Sequence, residues 1–183
     1  VNSTVANLTN GTAVSANMQA IDAKDANVAI VVSDTVVMYA DKVTALNTLR
    51  DDTNGTTGEV TATINGNAAL LEDLDAASAS DSALTITVND VATAARGAAI
   101  AAATDSTTVN FSAAGVNDTF ANLTNGTAVS ANMQAIDAKD ANVAIVVSDT
   151  VVMDADKVTA LNTLRDDTNG TTGEVTATIN GNA

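Results

Sequence analysis

The sequence predicts an α/β fold, a parallel α/β-solenoid with one strand and one helix per coil of about 24–32 residues, about six coils in 183 residues. Three observations predict it. Residues 1–68 recur almost unchanged as 116–183, an offset of 115, with only Ser3/Asp118, Val5/Phe120 and Tyr39/Asp154 differing. Inside that long period, short segments ending at Asp34, Gly66, Asp90, Asp118 and Asp149 follow one another at intervals of 32, 24, 28 and 31 residues. The apolar content is 46% while aromatics are only 2%, so the interior must be built from Ala, Val, Leu and Ile. Stacked units that cannot bury an apolar face alone have this signature. Residues 1–183 therefore read as one continuous solenoid, with 1–115 a full period and 116–183 part of a second. Two globular α/β domains of roughly equal size are the alternative organisation.

The elements follow in order. Ala/Leu-rich helical spacing opens over residues 15–23. The β-branched run 28–32 alternates and reads as strand, as do 60–64, 84–88 and 109–111. Each run ends in a polar pause: Asp34-Thr35, Asn67, Asp90 and Asp118-Thr119, with Asp149-Thr150 in the second copy. Their side-chain oxygens suit helix N-caps. Helices are expected after them over 36–50, 68–77 and 91–103. Ala95, Ala98, Ala99 and Ala102 recur at helical spacing and would let a helix lie close to a sheet. Gly/Asn/Ser/Asp-rich loops return the chain, most clearly at Asp51-Asp52-Thr53-Asn54-Gly55. Within this grammar Ser3 and Asp118 are caps, Val5 and Phe120 are core, and Tyr39 and Asp154 are exposed.

Composition excludes much chemistry. There is no Cys, His, Pro or Trp, so disulfides, thiolate or imidazole metal sites and histidine bases are ruled out. Twenty-two acidic against seven basic residues leave a net charge of −15, which repels nucleic acid. No apolar run approaches the ~18 residues of a membrane span. No basic segment followed by an apolar stretch opens the chain, so no secretory signal is visible. An enzyme is not expected.

Val116-Asn117-Asp118-Thr119-Phe120-Ala121-Asn122-Leu123 resembles a recurring unit of giant repetitive bacterial surface proteins of the adhesin type. Val1-Asn2-Ser3-Thr4-Val5-Ala6-Asn7-Leu8 is a second copy, and Val32-Ser33-Asp34-Thr35 and Val147-Ser148-Asp149-Thr150 keep the first half. The resemblance implies an extracellular or cell-surface location and a matrix, adhesin or filament component. Proteins of this kind often bind calcium, but the tandem Gly-Gly-x-Gly-x-Asp array is absent.

Two candidate sites follow. Asp51, Asp52, Asn54 and Glu59, repeated as Asp166, Asp167, Asn169 and Glu174, form the densest oxygen cluster. Their spacing does not match the twelve-residue calcium loop, so the reading is a solvated loop with no metal or cofactor, calcium being the one ion left open. Strand alternation places Thr61, Thr63, Thr85, Thr87 and Thr108, with Thr176 and Thr178 in the second copy, on an outward sheet face beside Ala29 and Val31. That face reads as solvated sheet, lateral protein contact, or an ice- or glycan-binding strip. The Asn-x-Thr/Ser triplets, such as Asn7-Leu8-Thr9, fit glycosylation acceptors.

The expectation is a structural extracellular protein that forms a filament, sheath or adhesin stalk by head-to-tail stacking, with itself as partner and extracellular matrix or glycan as further partners. The alternative is a binding module. No polar capping coil is visible at Val1-Asn2-Ser3-Thr4 or at Asn180-Gly181-Asn182-Ala183, which predicts continuation at both ends.

Overall fold

A computed structural model describes residues 1–52, 59–77, 82–106, 108–111, 115–167 and 174–181. The chain is a mixed α/β structure built on parallel sheet. In order it forms β1 (Asn2–Ser3), α1 (Val5–Leu8), the hairpin β2 (Thr9–Asn10) and β3 (Ala13–Val14), α2 (Ala16–Asp22), β4 (Ile30–Val37) and α3 (Ala40–Asp52). Next come β5 (Val60–Gly66), α4 (Ala68–Leu71), β6 (Ser82–Val88), α5 (Ala94–Ala102) and β7 (Val109–Asn110). The second copy repeats the first: β8 (Val116–Asp118), α6 (Phe120–Leu123), β9 (Thr124–Asn125), β10 (Ala128–Val129), α7 (Ala131–Asp137), β11 (Ile145–Val152), α8 (Ala155–Asp167) and β12 (Val175–Asn180).

Strand neighbours follow chain order. A five-stranded sheet runs β1-β4-β5-β6-β7, and a three-stranded sheet has β11 between β8 and β12, all parallel. Among the described residues an isolated parallel bridge links Ala92, four residues past the end of β6, to Val116 at the start of β8. Helix-side residues alternate with outward ones. Ile30, Val60, Ala62, Ile64, Leu84, Ile86 and Val88 are buried with Leu46, Leu49, Leu71 and Ile100 from the helices. One apolar cluster extends from Val5 to Leu164. Val5 and Phe120 are both in it, whereas Tyr39 and Asp154 are exposed.

Four expectations are corrected. Between β1 and β4 the chain forms two helices and a two-stranded hairpin, not a single helix. The hairpin turns at Gly11, whose φ of 65° is the left-handed value that glycine adopts without strain. Helix α4 spans only Ala68–Leu71, short of the expected end at residue 77. Asp34 and Thr35 lie within β4 rather than at the start of a helix, because a register shift between Val31 and Thr35 carries the strand past them. The pause expected at Asp118 lies in a strand of its own: Val109–Asn110 pairs with β6, and β8 bridges Ala92 through Val116. Gly115, just before β8, has φ 68°, and its carbonyl accepts from the Ala92 N–H at 3.1 Å.

Candidate functional site

The polar pauses do cap helices, but mostly those of the preceding unit. The Val5 N–H, first in α1, donates to Asp34 Oδ1 at 2.8 Å, and Phe120 donates to Asp149 Oδ1 at 2.6 Å. The first N–H of α4, on Ala68, donates to Asp90 Oδ1 at 2.6 Å, and that of α5, on Ala94, to Asp118 Oδ2 at 3.0 Å. The register shift in β4 and β11 turns Asp34 and Asp149 towards these N–H groups, as bulges commonly do. Each carboxylate thus ties two successive units together through a helix N-terminus that would otherwise be unsatisfied. Asn67 and Thr119 occupy N-cap positions but make no side-chain cap bond. The side-chain caps within a unit are Ser15, Thr93 and Ser130, which the sequence reading did not single out.

Asp154 is a cap as well. It accepts from the Lys157 N–H at 2.9 Å and pairs with Lys157 Nζ at 3.1 Å. Hydrogen bonds from the Lys157 backbone, then from its side chain, hold the Asp154 carboxyl below its ordinary range. Tyr39, at the same place in the first copy, has no carboxylate to offer: its carbonyl accepts from the Lys42 N–H at 2.8 Å and its ring centroid lies 6.0 Å from the Lys42 Nζ.

Asp140 makes a further tie. Its Oδ1 closes a local turn on the Asn142 N–H at 3.1 Å, while its Oδ2 accepts from the Phe111 N–H at 2.8 Å. Asp25 makes the same local turn with Asn27 at 3.1 Å. Nearby, burial first, then the Asp167 and Asp140 charges, push the Asp137 carboxyl above its ordinary range.

The threonines of the outward face fall into register rows. Thr35, Thr63 and Thr85 pair in sequence across β4, β5 and β6, and Thr108 immediately precedes the next pair, Ile86–Val109. Thr61 pairs with Val31 and Ala83, and Thr87 with Asn65 and Asn110. In the second copy Thr150 pairs with Thr178, and Thr176 with Val146. Thr35, Thr61, Thr63, Thr108, Thr150, Thr176 and Thr178 are exposed, and Thr85 and Thr87 are half-buried. The apolar Val31 and Val37 lie exposed among them.

Asn54 and Asn169 of the expected oxygen cluster lie outside the described residues, as does the Asp52 side chain. Among the described residues no group of three acidic side chains is placed to hold a metal ion. No helix among them is long and apolar enough to cross a membrane.

One open groove on the surface is lined by Leu161, Asn162, Arg165, Val175, Ala177 and Ile179. Its counterparts in the first copy are Leu46, Asn47, Arg50, Val60, Ala62 and Ile64. There the surface is covered by the unit that follows. Ile64 is 0% exposed and Ile179 57%. Asn47 Nδ2 donates to the Asp73 carbonyl at 2.9 Å and Asn47 Oδ1 accepts from the Asp75 N–H at 3.1 Å. Arg50 donates to the Asp75 carbonyl at 2.8 Å, whereas Arg165 pairs with Asp166 at 3.5 Å.

Compared with protein-family models, with curated proteins and with solved structures, the chain shows no match.

Proposed function

We propose that this chain is a structural extracellular protein. Its parallel strands and helices form one α/β-solenoid over residues 1–183, which builds a filament, sheath or adhesin stalk by repetition of the 115-residue period. One observation carries the reading. Successive strands pair in parallel and in chain order, at a step of 29 residues and then of 30 falling to 28 past the bulge in both copies, and of 22 and 23 from β5 to β6 to β7, so a further unit could extend the ladder in the same way. Aspartate ties between successive units support it, as does an interior of small aliphatic side chains shared along the chain. Such arrays are held by nearest-neighbour interfaces and have no intrinsic length limit. The acidic, cysteine-free composition and the resemblance to repetitive surface proteins support a cell-surface location.

Electron microscopy of the native material tests the reading. Long thin fibres of uniform width are expected, and isolated globules would refute it.

A second reading, a binding face, is favoured by the in-register row Thr35–Thr63–Thr85. Thr63→Lys in the middle of that row would then abolish binding to ice or a glycan polymer and leave fibres intact. Unchanged binding would exclude the face.

A further inference from the structure

We propose that the outward face of the parallel sheet pairs with the same face of a second copy of this chain, so that two solenoids lie side by side. The proposal rests on the structural reading above and goes beyond it, from continuation along the axis to contact across it.

The helices bury one face of the sheet and leave the other open, whereas parallel sheets usually have both faces covered. Three register rows make up the open face in the first copy. Asn2, Val31, Thr61 and Ala83 form the first. Thr35, Thr63 and Thr85 form the second. Val37, Asn65, Thr87 and Asn110 form the third. The second copy repeats them as Asn117–Val146–Thr176, Thr150–Thr178 and Val152–Asn180. Val31 lies between β1 and β5 and is still exposed, so further units along the axis extend this face rather than cover it.

None of these side chains is charged, in a chain of 22 acidic and 7 basic residues. The aspartates inside the same strands are turned away: at the register shifts Asp34 and Asp149 accept from the N–H groups of Val5 and Phe120 in the helix layer. Charge returns at the rim, where Glu59 and Glu174 precede β5 and β12. Val37 and Val152, each 64% exposed, are the most open large apolar side chains among the described residues. An uncharged centre inside a polar rim is the composition of a protein interface.

The chemistry selects a second copy as the occupant. A chain of net charge −15 repels its own kind, and on this face two copies meet without opposing carboxylates. Threonine hydroxyls both donate and accept, so like faces match. No aromatic side chain lies in the rows to stack on a sugar ring, and Val31, Ala83 and Asn65 interrupt the threonines that an ice lattice would need. Seven strand positions from β1 to β12, ~4.8 Å apart, and three rows ~7 Å apart offer ~700 Å² per chain. A stable interface of standard size takes ~800 Å² from each partner.

Sedimentation and small-angle scattering of the whole chain across a range of concentrations test this. The chain should dimerise with its maximum dimension nearly unchanged, whereas contact end to end would nearly double it. Thr61→Lys with Thr176→Lys, both at exposed positions, should weaken the dimer by ~100-fold or more, because unpaired ammonium groups would be desolvated in the interface. These lysines lower the net charge, so general repulsion does not account for the loss. Thr61→Ser with Thr176→Ser should keep the dimer. So should Thr44→Lys with Thr159→Lys, the same charge change on the exposed side of α3 and α8. Circular dichroism of each variant confirms that it is folded. A chain monomeric at every concentration would overturn the proposal, as would a dimer that Thr61→Lys with Thr176→Lys leaves intact. Loss of ice or glycan binding by that variant of a monomeric chain would assign the face to those ligands instead. Fibres are read separately by microscopy: fibres without a side-by-side dimer would refute the pairing and keep the filament, and the dimer without fibres would do the reverse.

Discussion

Asp25 and Asp140 offer an internally controlled test of the ties between units. The two residues sit in the same local sequence, and both close the same turn, on Asn27 and Asn142 at 3.1 Å. Only Asp140 also accepts from the Phe111 N–H, at 2.8 Å. Replacing each by Ala removes the turn from both proteins, so the local cost cancels in the difference. What remains is one charge-assisted hydrogen bond to a part-buried amide. Leaving such an amide without a partner costs ~1–3 kcal/mol. Asp140→Ala also removes one of the charges that repel the Asp137 carboxylate, which offsets a few tenths of that. Asp140→Ala should therefore be less stable than Asp25→Ala by ~1–2 kcal/mol, or roughly 2–8 °C in melting temperature for a chain of this size. Asp140→Asn keeps an acceptor oxygen and should fall between. Urea denaturation followed by circular dichroism reads the difference, provided the slope with denaturant is common to all variants. Equal midpoints for Asp25→Ala and Asp140→Ala would refute the idea that these carboxylates join successive units.

Three further outcomes follow from the same structure. Ile64→Lys should destabilise by ~3–5 kcal/mol through an unpaired buried charge, while Ile179→Lys, at the same place in the repeat, should stay within ~0.5 kcal/mol; urea midpoints of the two variants check this. Gly115→Ala should cost ~2–4 kcal/mol, because the new Cβ meets the Ala144 carbonyl that accepts from the Val116 N–H at 2.8 Å; Gly126→Ala, in open space, should lose only the left-handed preference of ~1–2 kcal/mol. The Asp137 carboxyl is raised in the folded state, so protonation favours folding, and its contribution to stability falls as pH rises through the carboxylate range. Asp137→Asn should remove that loss and leave the protein at least as stable at pH 7 as the parent; a stability profile in which the variant is weaker at pH 7 would contradict it.

Much of the architecture was legible because the repeat fixes what each position must tolerate. Alternation along Val60-Thr61-Ala62-Thr63-Ile64 separates core from surface where neighbouring elements cover the strand on both sides. The substitutions Val5/Phe120 and Tyr39/Asp154 marked a buried and an exposed position correctly. What was not legible is how one unit touches the next. Asp34 reads as the cap of a following helix because local sequence supplies no information about a helix 29 residues earlier. The hairpins at Asn10-Gly11 and Asn125-Gly126 were hidden in a polar stretch, although Asn-Gly between short runs is a hairpin signal in itself. The conformation of Gly115 depends on tertiary packing against Ala144, which periodicity does not encode. The groove of α8 and β12 is visible only when the two copies are compared in three dimensions, since its sequence is identical to a buried interior face.

Fibre diffraction or helical reconstruction of the native material tests the central claim most directly. Parallel strands stack ~4.8 Å apart, and β8 lies four ladder steps from β1, through β4, β5 and the chain from β6 to Ala92, so a 115-residue period should advance ~19 Å along the axis. The account predicts both spacings along one axis. An advance near ~10 Å per unit, the face-to-face separation of packed sheets, or separated globules with no strand repeat along the axis, would contradict it.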